Sequence, residues 1–343
     1  MKSGNFCFAH LNVRSLFSKV DQIDYILKKN DYDVLAISES WLDNTIADSE
    51  LSIEGYNIYR KYRLNSKGGC VCLYVKECVH FKLRDDLHFD DVESLWGEVT
   101  VGKMNVLISV VYRPPSAPTA YFESLLDMLE KAKVCELEMI VLGDLNYNYV
   151  IDETLCKNPL YYIELLHDMK QLILDKTRVT EKSQSTLDVI LTTRPDLHVK
   201  SGVVKTTLSD HFLIYTELNV PKSAPDQIHN LVRYRDYKDF SISDFIQDVK
   251  SNTILNATAT NEISWDAWKS KFQELSDKHA PTKTIRMKSR SNPWITREII
   301  SMMNERDRLH NKAVKTHCED TMQSYRKLRN HITNTIKLKK NIF

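Results

Sequence analysis

Short polar clusters in this 343-residue chain place carboxylates, amides, a phenol and an imidazole directly after apolar runs. "HLNVRSL" offers Asn12, "LAISESWL" offers Glu39, and "VVYRPP" offers Tyr112 with Arg113. "MIVLGDLNYN" offers Asp144 and Asn146, "STLDVILT" offers Asp188, and "LSDHFLI" offers Asp210 beside His211. Strand ends that share a rim are where catalytic side chains are commonly mounted, because a rigid scaffold holds them while loops vary. Taken singly, each residue also has a bland reading: a Glu after a strand is commonly a solvated loop carboxylate, and an Asp next to a His is commonly a surface pair. Asp144 and Asn146 are more telling, since residues two apart in an extended segment project to the same side and reach one ligand. With no nucleophilic Ser or Cys motif, the set asks for a reaction that uses a hard cation, an imidazole and several carboxylates and amides. Hydrolysis of a phosphate ester fits. Glu39 and Asp210 supply oxygens of the sort Mg²⁺ accepts, and such a cation neutralises phosphoryl charge and stabilises a leaving oxygen.

The elements that must hold these residues are strands more than helices. Up to Val220 the sequence alternates short apolar, β-branched runs with amphipathic stretches. Strands are predicted at Asn5 to Asn12, Val34 to Ser38, Gly69 to Val75, Leu95 to Val101, Asn105 to Tyr112, Met139 to Gly143, Leu187 to Thr192 and Phe212 to Val220. Helices are predicted at Ser18 to Lys29, Tyr121 to Lys133 and Leu160 to Lys170, each after a Ser, Thr or Pro start signal. Several consecutive strands fall between Tyr56 and Tyr112, which implies antiparallel hairpins and mixed sheets. The expected fold is therefore α/β, a four-layered sandwich of two mixed β-sheets flanked by helices, with a C-terminal helical extension.

"NVPKSAPDQ" gathers linker residues at Asn219 to Gln227, so the catalytic domain is expected over residues 1–220. Residues 221–280 then form a linker and an amphipathic helical segment, with Trp265, Trp268, Phe272 and Leu275 at helical spacing, and residues 281–343 a basic helical connector. Two long polar helices are predicted there, at Ile295 to Lys315 and Glu319 to Lys340. The formal net charge of +1 hides a division: residues 1–220 hold 24 Lys/Arg against 32 Asp/Glu, while residues 281–343 hold 15 against 5. A composition of 42% hydrophobic and 27% charged residues argues against a disordered, collagenous or coiled-coil chain. No apolar run approaches the roughly 18 residues of a membrane span, and the N-terminus has no continuous apolar signal segment. Seven cysteines, an odd number without a CxxC pair, read as buried reduced thiols. An intracellular protein, nuclear in location and without a membrane partner, is the expectation.

The ordered set Asn12, Glu39, Tyr112, Asp144 with Asn146, Asp188, and Asp210 with His211 resembles the active-site series of the endonuclease/exonuclease/phosphatase superfamily, which includes abasic-site endonucleases and pancreatic-type deoxyribonuclease. The resemblance covers residues 5–220, and the strings "LNVRSL", "ISESWL", "VYRPP", "GDLN", "STLDVILT" and "SDH" are similar to the endonuclease of non-LTR retrotransposons of the jockey and chicken-repeat type. "HAPTKTIRMKSRSNPWITREI", with "ERDRLHNKAVK" and "YRKLRNHITNTIKLKKNIF" C-terminal to it, is similar to the connector before the reverse transcriptase of those elements. The resemblance implies an Mg²⁺-dependent endonuclease, with Mn²⁺ an alternative ion, that leaves a 3′-hydroxyl nick in DNA, and a reverse transcriptase downstream in a full-length element. It implies that Glu39 holds the metal with help from Asp210, that Asn12 orients the cluster, and that Asp144 activates the attacking water, with Asn146 positioning the water or a phosphate oxygen. His211, oriented by Asp188, would donate to a non-bridging oxygen, and Tyr112 would contact the phosphate.

Where the repair branch carries an acidic residue two after the Asn, this chain has Arg14, which favours a phosphate over a cation. Arg14, Arg113 and Ser15 are candidate contacts to the nucleic acid backbone. The basic C-terminal helices would add salt-dependent affinity for DNA, with RNA a further candidate partner. Two alternatives stand beside this reading: a repair-type or small-substrate phosphodiesterase of the same fold, and a catalytically inactive, retrotransposon-derived nucleic-acid-binding module.

Overall fold

The computed structural model describes residues 4–61, 68–151, 157–180, 183–222, 231–252, 265–286 and 292–342. They divide into two compact units, residues 1–226 with 291–343, and residues 227–290.

In the first unit the strands are β1 (Asn5–Asn12), β2 (Val34–Ser38), β3 (Tyr56–Lys61), β4 (Val71–Lys76), β5 (Phe81–Leu83), β6 (Glu93–Val101), β7 (Met104–Tyr112), β8 (Glu138–Asp144), β9 (Lys170–Gln171), β10 (Arg178–Val179), β11 (Gln184–Ser185), β12 (Asp188–Thr192), β13 (His198–Val204) and β14 (Leu213–Pro221). Its helices are α1 (Val20–Asn30), α2 (Tyr121–Lys133) and α3 (Pro159–Leu166). One six-stranded sheet runs β13-β14-β1-β2-β4-β3 and the other β5-β6-β7-β8-β12-β9. Each is mixed and holds one parallel pair, β1 with β2 and β7 with β8, joined across α1 and α2 respectively. The remaining ladders are antiparallel, as the strand succession without intervening helices requires.

Three apolar clusters make the layers. Phe8, Ala36, Leu73, Ile108, Leu142 and Ile190 fill the space between the sheets. Leu35 and Ile37, one residue out of phase on β2, face the other way and meet Ile23 and Leu27 of α1. Leu107 and Val141 do the same against Leu125, Met128 and Leu129 of α2. The strands are thus apolar on both faces, and side chains such as Ile23 and Leu27, with no exposed surface, contribute about 1.5–3 kcal/mol each by burial. α1 stops at Asp31, whose left-handed backbone (φ +63°) returns an N–H to the Leu27 carbonyl. The sandwich with flanking helices is the expected fold.

Some elements differ from the sequence reading. The helix predicted to reach Lys170 ends at Leu166, because Asp168 turns left-handed (φ +51°) and Lys170–Gln171 then pairs with β12. β13, an edge strand whose residues are mostly exposed, lacked the apolar run that marks the others.

The second unit contains β15 (Leu231–Arg235), α4 (Ile242–Ser251), α5 (Trp265–His279) and β16 (Thr282–Arg286), the two strands pairing antiparallel. Trp265, Trp268 and Phe272 stack along α5 at 5.3 and 5.2 Å, and Phe245 of α4 packs edge-on against Phe272. The polar helices of the C-terminus, α6 (Arg297–Thr316) and α7 (Glu319–Lys340), belong to the first unit. Ile299, Met303, Ile332 and Ile336 form their shared core, onto which Tyr25 of α1 packs. Among the described residues no helix is long and apolar enough to cross a membrane.

Candidate active site

The parallel pair of each sheet ends at one rim of the sandwich. β1 and β2 run in register to Asn12 opposite Ser38, with Glu39 next in the chain. β7 and β8 run in register to Tyr112 opposite Asp144, and the antiparallel β12 sets Asp188 across from Asp144. Backbone hydrogen bonds carry these ladders into the loops: Ser15 N–H donates to the Glu39 carbonyl at 2.8 Å, and Arg113 N–H to the Asp144 carbonyl at 2.9 Å. Gly143 permits the close approach of β8 to β7, since a Cβ there would lie 1.9 Å from the Val111 carbonyl oxygen. The loop conformations are constrained as well. Arg14, Ser15, Glu39, Trp41 and Asn146 all have positive φ, between 45° and 78°, a conformation that costs a non-glycine residue free energy and clusters at functional sites.

Asn12 joins the two sheets. Its fully buried side-chain amide donates to Glu39 Oε1 and to Asp144 Oδ2, both at 2.8 Å, while its Oδ1 accepts the Arg14 N–H. The Tyr112 hydroxyl donates to Glu39 Oε1 at 3.1 Å, and the Trp41 indole donates to Oε2 at 3.3 Å. Burial, with Glu39 and Asp144 adding to it, raises the Tyr112 phenol far above its usual range, so the hydroxyl keeps its proton. Asp144 Oδ1 accepts the Asn146 N–H at 2.9 Å, and the Asn146 amide donates to the Arg113 carbonyl at 2.8 Å.

Beneath this lies a second set. His211 Nδ1 sits 2.9 Å from Asp188 Oδ2, and His211 Nε2 lies 3.8 Å from Asp144 Oδ2. Burial alone would pull the His211 imidazole down, but Asp188 and Asp144 overcome it and hold the group at about 9, so the ring is cationic and carries a proton on each nitrogen. The two carboxyls diverge. Burial pushes Asp144 up despite the neighbouring imidazolium, whereas the charge and hydrogen bond of His211 hold Asp188 down despite equal burial. Environments that push two titratable groups apart are how one site obtains an acid and a base at the same pH.

Sequence reasoning missed His10. Its ring bridges Ser38 Oγ, 3.0 Å from Nε2, and Asp188 Oδ1, 3.5 Å from Nδ1, with no exposure to solvent. Burial holds this imidazole down at about 4, hence neutral. The signal was present in "HLNVRSL": a histidine two before Asn12 projects to the same side of β1.

Two expected residues have other surroundings than the sequence implied. Arg113 is only 6% exposed, and its guanidinium donates to the Asn146 and Ala117 carbonyls and lies over the Phe122 ring. There it fixes the turn after β8. Asp210 Oδ2 is held by Arg178 Nε and Nη2, each at 2.8 Å, and Oδ1 lies 3.6 Å from Arg14. Burial raises the Asp210 carboxyl, but His211, Arg178 and Arg14 together bring it below its usual value.

The donors suit a hard cation. Asp210 Oδ1 is buried and accepts no hydrogen bond, and Glu39 presents a half-buried carboxylate in the loop set. Among the described residues, the carboxylate and imidazole group whose ligand atoms lie within 4.8 Å of one another is Asp144, Asp188 and His211, which could also hold a divalent ion. That trio is already closed by the His211–Asp188 hydrogen bond, whereas the carboxylates of Glu39, bonded by Asn12, and of Asp210 are half-buried.

The endonuclease/exonuclease/phosphatase family profile matches residues 9–211. Among solved structures, the endonuclease domain of TRAS1, a telomere-specific non-LTR retrotransposon, is 15% identical with a TM-score of 0.50, covering 63% of this chain and 100% of that one. An AP endonuclease from Leishmania major is 13% identical with a TM-score of 0.53, over 62% of this chain and 87% of that one. An AP endonuclease from Archaeoglobus fulgidus is 18% identical with a TM-score of 0.48, over 63% and 100% respectively. No curated protein sequence matches at a significant level. With the family pattern spanning more than half of its length and ending on the histidine of the active-site rim, the chain belongs to the endonuclease/exonuclease/phosphatase family.

Proposed function

We propose that this protein is a Mg²⁺-dependent DNA endonuclease that hydrolyses a phosphodiester bond and leaves a nick with a 3′-hydroxyl, as target-primed retrotransposition requires. The observation that carries the reading is the Asn12 amide, bound at 2.8 Å to both Glu39 and Asp144, which ties the open carboxylate to the enclosed Asp–His set. Asp144, its carboxyl pushed up by burial, is poised to take the proton of the attacking water. Asn146, locked to the Arg113 carbonyl and to Asp144, orients that water or a phosphate oxygen. His211 keeps Nδ1–H on Asp188 and turns Nε2–H toward the reacting phosphate, where it donates to a non-bridging oxygen as charge develops. The Tyr112 hydroxyl contacts the same phosphate from the Glu39 side. Glu39 and Asp210 would hold the cation, with Asn12 fixing Glu39. When bound, the ion supplies charge neutralisation on the phosphoryl oxygens and stabilises the leaving oxygen.

The retrotransposon assignment rests on strings such as "ISESWL", "VYRPP" and "STLDVILT" and agrees with the fold likeness to the TRAS1 endonuclease domain. Nuclear location and a downstream reverse transcriptase belong to the same proposal. The test is nicking of supercoiled plasmid: Mg²⁺ should support conversion to the open circle, and EDTA or Glu39→Ala should abolish it. A strong preference for an abasic duplex over an intact one would favour a repair enzyme instead.

A further inference from the structure

A cavity of about 490 Å³ lies where the C-terminal helices meet the active-site rim. Five of its lining side chains are cationic, Arg14, Lys19, Arg306, Arg326 and Arg329, against one lining carboxylate, Asp210, with Asp307 and Glu319 pairing Arg306 and Arg326 from outside the lining. α6 and α7 lie beyond the family match, which ends at residue 211, so this wall is an addition to the family's catalytic domain.

The helices are firmly seated. Arg306 Nη1 donates to Gln22 Oε1 at 2.7 Å, Thr207 Oγ1 donates to Asp307, and the Trp294 indole donates to Asp21 at 2.9 Å. Beneath them Tyr325 is buried against the Thr207 carbonyl. The cations therefore stand at fixed places. Arg329 lies over the Tyr325 ring at 5.7 Å, Arg326 is exposed and pairs with Glu319 at 3.0 Å, and Arg306 is enclosed and pairs with Asp307 at 2.8 Å. Burial above all, with smaller contributions from Arg329 and Arg14, lowers the Lys19 ammonium to about 8.

The cavity is continuous with the catalytic rim. Ser209, which lines it, donates from its hydroxyl to the Asn12 carbonyl, and Asp210 adjoins His211 in sequence. A nucleic acid strand whose scissile phosphate lies between Glu39 and His211 must continue across one side of this rim, and on this side the lining asks for anions. The catalytic domain cannot supply that attraction in bulk, since residues 1–220 carry an excess of acidic groups.

We infer that the cavity between α6–α7 and the Arg14 loop is a backbone-phosphate subsite, which grips the DNA strand next to the scissile bond through Arg326 and Arg329. This rests on the nuclease reading for its choice of ligand. The test uses the full chain and a fluorescent 20-base-pair DNA duplex in EDTA, so that binding is read without turnover, with nicking of plasmid in Mg²⁺ measured separately.

Arg326→Gln/Arg329→Gln should weaken duplex binding by on the order of tenfold at low salt. It should also flatten the slope of log affinity against log salt by about 1.8, the value for two lost phosphate contacts. Arg326→Lys/Arg329→Lys should retain the slope, which a purely structural role of the two arginines would not explain. Equal affinity and slope in the wild type and the glutamine variant, or tighter binding by the variant, would overturn the subsite, whether or not the protein nicks DNA. Wild-type binding with the expected slope change but no nicking under any divalent ion would leave the subsite standing and remove the nuclease reading instead.

Discussion

Asp144, Asp188 and His211 lie on the floor of the site with almost no exposure, while Glu39 and Asp210 stand half-buried at its mouth, and Glu39 differs most from the floor in how its charge is met. On the floor, protein answers protein. The imidazolium of His211 lies between two carboxylates, and Asp188 is in turn backed by His10. At the mouth, Glu39 receives donors from Asn12, Tyr112 and Trp41 but no cationic side chain among its hydrogen bonds, while Asp210 is held on one oxygen by Arg178 and its other oxygen, 3.6 Å from Arg14, has no hydrogen bond. The floor is enclosed by its own charges, although Asp188 Oδ1 there also lacks a hydrogen bond, and the mouth is the more accessible side. On the proposed reading, the difference separates residues that would hold protons from residues that would hold metal, which their sequence positions at similar strand ends do not.

Breaking either half should stop catalysis, but only one half should weaken the fold. The largest effect is expected on turnover: Asp144→Asn should lower nicking by about 10²- to 10⁴-fold, and His211→Ala by about 10²- to 10³-fold, both measured as initial rates on supercoiled plasmid. Next comes stability. Asp188→Ala leaves the His211 cation without its closest counter-charge and should lower the unfolding free energy by about 3–5 kcal/mol in urea titrations. An effect no larger than that of Glu39→Ala would erase the distinction between floor and mouth. The same imidazolium gives a pH signature. Its folded value of about 9 exceeds the ordinary 6.5, so its contribution is complete below pH 6.5 and is lost as the pH rises through 9. In EDTA, the stability difference between the wild type and His211→Ala should shrink over that window. The smallest effect is ligand-driven: Mg²⁺ at a hundredfold excess over its dissociation constant should stabilise the wild type by about 2.7 kcal/mol and the Glu39→Ala variant by much less, read by thermal melting.

The sequence made much of the rim legible for a physical reason. Asn12, Glu39, Tyr112, Asp144 and Asp188 each border an apolar β-branched run, so the strand pattern locates the polar group at its end. Both C-terminal helices fell within two residues of their predicted starts, because helical periodicity and caps such as Thr296 are local signals. What stayed hidden is long-range. The pairing of Asp210 with Arg178, the burial of Arg113 behind α2 and the contact of His10 with Asp188 join residues far apart in the chain, and no periodicity announces them. The docking of α6 and α7 was hidden for another reason. Their apolar stripe is narrow, with Ile299, Met303, Ile332 and Ile336 set among charged residues, and so reads as a solvated pair until α1 is seen beneath it.

Glu39 and the His211–Asp188 floor must act on one phosphodiester if the site is single. The direct measurement is strand nicking of supercoiled plasmid in Mg²⁺ by the full chain and by Glu39→Ala, followed by polymerase extension from the nick. Nicking by the wild type alone, with ends that a polymerase extends, is the expected result. Equal nicking by both proteins, or ends that cannot be extended until a 3′ phosphate is removed, would contradict it.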